Sequence, residues 1–388
     1  MERPAYYWDP LQPISYDETL GCWNIWGYAH AEQVLRNRDG CFSQAVSDED
    51  RLHGNATLAG LWVAEGRRHD DLLALIAPPF RRSRRPPERE QGQEALAPLE
   101  AHIGAVAAEL IDAATAAGDG QFEAVRTIAH PLPSRVICDI ILGIDRIAGE
   151  RMHAWRDEAW ELTRGYRTMP QQPDMAAYFE RTIEEHRPAA RPGLLGKLLK
   201  DQAADPPAMV DGQSLTDRDL VGQLAMLVWA GAETTAAAIA DALLFLTKDG
   251  HWQTLRDDPS LIPSAVEEVL RWYPSFPGVQ LMVMVDTEIG GQALRKGESV
   301  TVWLTSANRD PRVFKHPNTF DIRRDPNPHV TFGLGPHFCL GAPLARLELR
   351  IVVEQATQRL PYLRRNPDLP LERRTWMEDS LDKLPLLY

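Results

Sequence analysis

The sequence predicts a mainly α-helical protein with minor β-structure, and three observations carry this reading. A proline-free helical pattern spans about 217–248, an alanine-rich one fills 97–117, and the strand candidates, 23–26, 279–285 and 299–304, are short. The 388 residues leave room for about two to three average domains or one large one. No internal repeat and no Gly/Ser linker divides them, so a single domain over 1–388 is expected. Hydrophobic residues at 44% and charged residues at 25% are ordinary for a soluble globular chain. No apolar run approaches the roughly 20 residues of a bilayer span, and residues 1–8 lack the apolar segment of a signal peptide. A net charge of −13 argues against a nucleic-acid binder, which needs a broad cationic field. The cysteines at 22, 41, 138 and 339 form neither a disulfide framework nor a CxxC pair. A reducing, cytoplasmic location is expected, without membrane or nucleic-acid partners.

Along the chain, Trp23–Trp26 reads as a strand and 31–37 as a brief helix closed by Asp39-Gly40. Residues 44–66 are irregular around Leu61, Trp62 and Val63. In 97–117, Pro98 stands in the first turn, with Leu99, Ile103, Val106, Leu110 and Ile111 at helical spacing. Further helices fit 134–143 and 150–165, and prolines and charges over 170–212 suggest one helix between loops. Thr216 and Asp219 resemble a capping box at the start of the longest helix, and Gly250 supplies its stop. That helix would be about 48 Å long. Its middle, L-A-M-L-V-W-A-G-A over 224–232, is apolar on every face and should be buried all round. A helix at 261–272 precedes the later strands, and the last helix begins just after Cys339, carries Pro343 in its first turn and ends near Arg359.

The sharpest local signal is F-G-L-G-P-H-F-C-L-G over 332–341. Three glycines allow positive φ angles and a close approach of backbone to a flat ligand. Cys339 stands just before a helix N-terminus, where free N–H groups and the helix dipole favour a thiolate. A lone thiolate cannot complete a zinc site, which needs about four ligands, but it can serve as the single axial ligand of a haem iron. A buried, inert cysteine behind a Gly-rich turn is the alternative, and for an isolated cysteine the commoner one.

The loop resembles the haem-binding signature of the cytochrome P450 superfamily, F-x-x-G-x-x-x-C-x-G. Phe332, Gly333, Gly335, His337, Cys339 and Gly341 match its bacterial form, and the likeness continues through Ala342, Leu344-Ala345-Arg346 and Glu348. The resemblance implies a helical bundle around haem b (iron protoporphyrin IX) with small sheets. It makes Cys339 the proximal iron ligand, places Phe332 beside it, and has Gly341 admit backbone hydrogen bonds to the sulfur. On the long helix, Ala230-Gly231-Ala232-Glu233-Thr234-Thr235 is similar to the family's A-G-x-[DE]-T. Physically, Gly231 would leave space for O2, Thr234 can bond to the carbonyl of Ala230, and the acid–alcohol pair Glu233 and Thr234 can relay protons. An ordinary Ala/Thr-rich helix is the plain alternative for this stretch alone. Glu268 and Arg271 match E-x-x-R, with Arg324 as the arginine that joins them; the resemblance makes all three structural.

The pattern also departs. The family's two arginines for the haem propionates fall on Leu73 and Leu281 here. His69 and His329 remain as partners for those carboxylates, with Arg67 or Arg68 as possible substitutes. By family position the substrate pocket draws on Trp62, Met226, Trp229, Phe276, Val279, Trp376 and Met377, an apolar and partly aromatic set suited to a hydrophobic or aromatic small molecule. For Trp229 core packing is the commoner role. The expected function is O2-dependent monooxygenation with electrons from a separate ferredoxin or flavodoxin and its reductase. Oxidative coupling or ring closure without oxygen insertion, and a non-catalytic haem-thiolate sensor, stay open as alternatives. The run Arg81-Arg82-Ser83-Arg84-Arg85, followed by Arg89, is the clearest cationic cluster in this acidic chain. Reversing its charge is expected to slow reduction by a ferredoxin, more so at low salt, as read by stopped-flow absorbance; unchanged rates would discard the cluster as a docking site.

Overall fold

The computed structural model describes residues 13–19, 21–44, 60–80, 88–162, 173–189, 191–375 and 379–388. Among these, the helices in chain order are α1 (Tyr28–Arg36), α2 (Gly66–Ile76), α3 (Glu88–Thr115) and α4 (Pro131–Arg135), which continues as a π-helical segment over Val136–Leu142. There follow α5 (Ile147–Leu162), α6 (Pro173–His186), α7 (Leu194–Gln202), α8 (Asp217–Leu246), α9 (His251–Asp257), α10 (Ile262–Trp272) and α11 (Ala342–Arg359). The main sheet has five short strands, β1 (Ile14–Asp17), β2 (Cys22–Ile25), β3 (Phe42–Ser43), β4 (Gly278–Val283) and β5 (Ser299–Trp303), in the order β1-β2-β5-β4-β3. Only the β2–β5 pairing in it is parallel. Helices thus dominate and strands are minor, as the periodicity predicts.

Several boundaries differ for identifiable reasons. Helix α3 begins at Glu88, so Pro98 lies inside it rather than in its first turn; the preceding Glu-, Gln- and Ala-rich residues extend the helix upstream. Two helices, α6 and α7, occupy the stretch expected to hold one. Gly250, with φ +76°, does not end α8, which stops at Leu246; it opens α9 instead. Pro343 stands in the first turn of α11, as expected.

Two apolar cores organise the chain. The larger is helical and gathers around α8, with Leu220, Leu224, Val228, Ile239 and Leu243 almost wholly buried. The smaller lies between the sheet and α1, where Ile25, Val34, Leu281, Val300 and Val302 meet. By length and composition alone α8 is apolar enough to cross a membrane, which corrects the expectation that no such run exists; most of it is buried inside the molecule. Its burial is not continuous. Ala230 is exposed and Met226, Trp229, Gly231 and Thr234 are only half-buried, contrary to the expectation of burial all round.

The start of α8 is held by a capping box. Thr216 Oγ1 accepts the N–H of Asp219 at 3.2 Å, and Asp219 Oδ2 accepts the N–H of Thr216 at 2.9 Å. Thr216→Ala is expected to lower stability by about 1 kcal/mol, seen as a lower urea midpoint at unchanged slope.

Candidate active site

The segment 332–341 lies between the two cores, with Phe332 and Leu340 packed on the helical core and Leu334 on the sheet core. Gly333 and Gly335 adopt φ of +67° and +73°. A Cβ at Gly335 would stand 2.7 Å from the carbonyl oxygens of Leu35 and Arg36, so this glycine lets the loop rest on the end of α1. Its role is protein packing, not the close approach to a flat ligand that its spacing suggests. The N–H of Cys339 donates to the Phe332 carbonyl at 2.9 Å and closes the loop. The N–H groups of Gly341 and Ala342, at the head of α11, donate to the Cys339 sulfur. Gly341 needs no special backbone angle for this, with φ −79°, and a Cβ there would clear the sulfur at 3.9 Å.

Cys339 lies deep in the protein, yet its own surface is open. Both hold for a side chain that lines an internal recess. Burial pushes its thiol pKa up; the two N–H donors and Arg346 pull the other way without prevailing. The N–H groups at the helix terminus therefore favour the thiolate, as expected, but do not outweigh burial by themselves. A metal ion bonded to sulfur does secure it.

On α8, the Thr234 hydroxyl donates to the Ala230 carbonyl at 2.7 Å, the bond its i−4 spacing predicts. Ser275 Oγ donates to the Thr234 carbonyl at 2.8 Å and ties this turn to the segment before β4, a contact without a sequence signal. Glu233 is buried beside it. On the side its Cβ would occupy Gly231 is closed by the π-helical segment, since a Cβ there would meet Ile137 Cγ1 at 2.8 Å. Glu268, Arg271 and Arg324 do converge. Glu268 accepts from Arg271 at 2.7 and 2.8 Å and from Arg324 at 3.0 Å, with Glu268 and Arg271 wholly buried.

Comparison with known proteins bears on this arrangement. Residues 252–361, which hold the cysteine loop and the Glu268 network, match the family model "Cytochrome P450". The chain is 30% identical over 376 residues to cytochrome P450(BM-1) of Priestia megaterium, covering 93% of this chain and 87% of that one. It is 35% identical over 300 residues to a steroid C26-monooxygenase of Mycobacterium tuberculosis, covering 74% and 78%. Among solved structures, HmtN, a post-tailoring hydroxylase involved in himastatin biosynthesis, superposes with a TM-score of 0.81 at 32% identity, covering 98% of this chain and 94% of its own. The chain belongs to the cytochrome P450 family. It has the family's mainly α fold and is a cytochrome P450 monooxygenase, whose cofactor is haem b bound through a cysteine thiolate.

In this P450 the residues expected at the haem propionates, and their arginine substitutes, have the following partners. Arg67 is exposed and faces Asp71 at 3.5 Å, while Arg68 is paired with Asp219. Leu73 packs on the helical core and Leu281 is buried in the sheet core, where each position is apolar for packing reasons. His329 is committed to Glu267, its Nε2 standing 3.0 Å from Oε2. His69 is buried with its ring edge-on to His337, centroids 4.9 Å apart, and His337 Nε2 lies 3.3 Å from Glu65 Oε2. Of the pocket set, Trp62, Met226, Trp229, Phe276 and Val279 are half-buried; Trp376 and Met377 lie outside the described residues, as do Arg81–Arg85 and the side chain of Arg89.

Glu267 is the residue that sequence reasoning missed. Arg346 donates to it at 2.7 and 2.9 Å, and the same guanidinium lies 4.4 Å above the Phe332 ring. The available signal was a carboxylate directly before Glu268 and an arginine seven residues after Cys339. Burial raises the Glu267 pKa, but the bonds from His329 and Arg346 outweigh it and bring the group down to about 2. Nearby on α11, burial pushes the Glu348 carboxyl pKa well above its usual value. Because the folded pKa of Glu267 is depressed, its stabilisation is full above the unfolded value near 4.5 and disappears as pH falls toward 2. Glu267→Gln is therefore expected to unfold at lower denaturant than wild type at pH 7, with the gap narrowing between pH 4.5 and 2. A gap constant across that range would show that Glu267 carries no such linkage.

Proposed function

We propose that this P450 inserts one oxygen atom from O2 into a hydrophobic or aromatic small molecule, with Cys339 as the iron ligand and Thr234 and Glu233 as its proton-handling pair. The observation that carries this is the Cys339 sulfur, held deep in the chain by two N–H donors and yet uncovered. The open strip of α8 at Met226, Ala230 and Thr234 offers the opposite wall. These residues fit a flat prosthetic group with one face on sulfur and the other on helix. Phe332, Gly333, His337, Gly341, His69 and Gly231 surround that space in this reading, and Glu268, Arg271 and Arg324 support the sulfur side. Bound haem supplies reductive O2 activation and O–O cleavage, which thiolate donation favours.

The protein's own groups order the proton delivery. Thr234 keeps its hydroxyl proton on the Ala230 carbonyl, leaving its oxygen as an acceptor toward the open strip, and Glu233 is the buried acid that restores a proton once the hydroxyl has given one up. The half-buried Trp62, Met226, Trp229, Phe276 and Val279 favour an apolar substrate. The names of the relatives, a steroid monooxygenase and a hydroxylase of a biosynthetic pathway, support a lipid-like or natural-product substrate. We take the chain as one haem domain working in the cytoplasm, with electrons from a ferredoxin or flavodoxin and its reductase.

The reduced protein is expected to give the red-shifted carbon-monoxide band of sulfur coordination, absent in Cys339→Ser while the far-ultraviolet circular dichroism is kept. Thr234→Ala should retain the band and lower product per electron pair by about tenfold or more, the remainder appearing as peroxide. With labelled O2, one labelled atom in the product confirms insertion; none would favour the coupling reaction. A colourless, haem-supplemented wild type overturns the proposal.

A further inference from the structure

Gln223 stands on α8, one turn before Met226, and is 1% exposed. Its Oε1 accepts the N–H of Leu61 at 3.3 Å. Since that N–H can only donate, the contact fixes which end of the amide is oxygen. The Nε2 end is buried and has no hydrogen-bond partner among the described residues, although buried polar groups are almost always paired. Its neighbours along the helix, Leu224, Ala225, Leu227 and Val228, are apolar and buried. Leucine or methionine at 223 would fill the same volume without two orphaned N–H groups. The amide thus has a cost in the free protein that its neighbours do not relieve.

Its place indicates what does. Helical spacing puts Gln223 on the face that carries Met226, Ala230 and Thr234, the strip that opens inside the molecule. It stands at the seam where residues 60–63 close on α8. Gly60 is so near that a Cβ there would lie 2.8 Å from the Gly222 carbonyl oxygen and 2.9 Å from Met226 Cβ. For the amide to meet the open strip, this seam must part slightly. We infer that Gln223 is a specificity-determining residue, whose Nε2 donates to an uncharged acceptor oxygen at the end of the substrate remote from the oxidised carbon. This rests on the reading of α8 as the pocket wall given above.

The chemistry narrows the substrate. A carboxylate at this place would require a buried cation, and Gly60, Leu61 and Met226, which form the seam, supply none. A ketone, ester or amide oxygen is matched by a neutral N–H. The eleven residues from Gln223 to Thr234 span about 16 Å of helix, so the ligand is elongated and otherwise apolar, a fused-ring or long-chain carbonyl compound.

Gln223→Met in the holoenzyme tests this twice. Without ligand, the variant should melt higher than wild type by about 2 °C or more, because an unpaired donor has been removed. In spin-state titrations with matched pairs, testosterone against its 3-deoxy counterpart and a long-chain ketone against the corresponding alkane, wild type should bind at least one carbonyl member about tenfold or more tighter. The variant should bind both members of that pair alike. A lower melting temperature, the lack of a preference in both pairs, or a preference that survives the substitution would each overturn the inference; Gln223→Leu is judged by the same criteria if the methionine variant does not fold. An intact sulfur-ligand carbon-monoxide band in wild type separates the two claims. With the band present, a missing preference counts against Gln223 alone, and with the band absent the pocket reading falls as well.

Discussion

The carboxylate of Glu268 is the point on which the sulfur-bearing half of the molecule is hung. It accepts two bonds from Arg271, one each from Arg324 and Asn327, and one from the backbone N–H of Asp321 at 2.8 Å. The two arginines pass the constraint on. Arg271 donates to the carbonyls of Asn308, Pro317 and Thr319, and Arg324 to those of Lys315, His316 and Thr319. A stretch with no regular sheet or long helix of its own is thereby held by guanidinium forks rather than by a backbone ladder. Removal of one partner from such a buried set costs about 3–5 kcal/mol, because the others are left charged and unpaired. Its value lies in geometry: one carboxylate on a rigid helix defines where an irregular chain must run.

The neighbouring carboxylate completes the frame. Glu267 reaches forward to Arg346, about one turn into α11, and to His329, just before the loop. Asn308 and Thr331 add a third tie, with Thr331 Oγ1 on the Leu270 carbonyl and Asn308 Oδ1 on the N–H of Val330. Successive residues of a helix point about 100° apart, so adjacent acids on α10 can serve opposite flanks of one loop. The segment before Cys339 and the helix after it are both fixed to the same rod, and the sulfur between them has little freedom to move. That is the preorganisation a single-ligand metal site needs, since no second protein ligand would correct an error in position.

How much of this could be read from the chain depended on the range of the interaction. Local chemistry was legible: the Thr216 capping box, the Thr234 bond to Ala230, and Pro343 at the head of α11 all follow from residues within a turn of one another. The Cys339 loop and the Glu268 triad were legible through resemblance, because their residue types and spacings are specific. Contacts set only by packing were not. Nothing near Gly231 in sequence announces Ile137, and nothing near Gly335 announces the carbonyl end of α1. In both cases a glycine that looked reserved for a ligand is required by a neighbouring segment of protein. The partner of Arg68 was illegible for a related reason: Asp219, which pairs with it, is 151 residues away in the chain.

The incomplete burial of α8 follows from the same frame. Leu220, Leu224, Val228, Ile239 and Leu243 close its other faces, so the helix is anchored through most of its length. Only that surplus allows one strip, from Met226 to Thr234, to remain uncovered without loss of the fold. Two groups on that side carry hydrogen-bonding capacity the apolar core cannot use, the Thr234 hydroxyl oxygen and the Gln223 amide. They stand about 16 Å apart along the axis, one beside the proposed chemistry and one at the far end of the wall. A uniformly packed helix would be more stable and would have no reason to keep either; one lies on the open strip and the other is buried on the same helix face beside it.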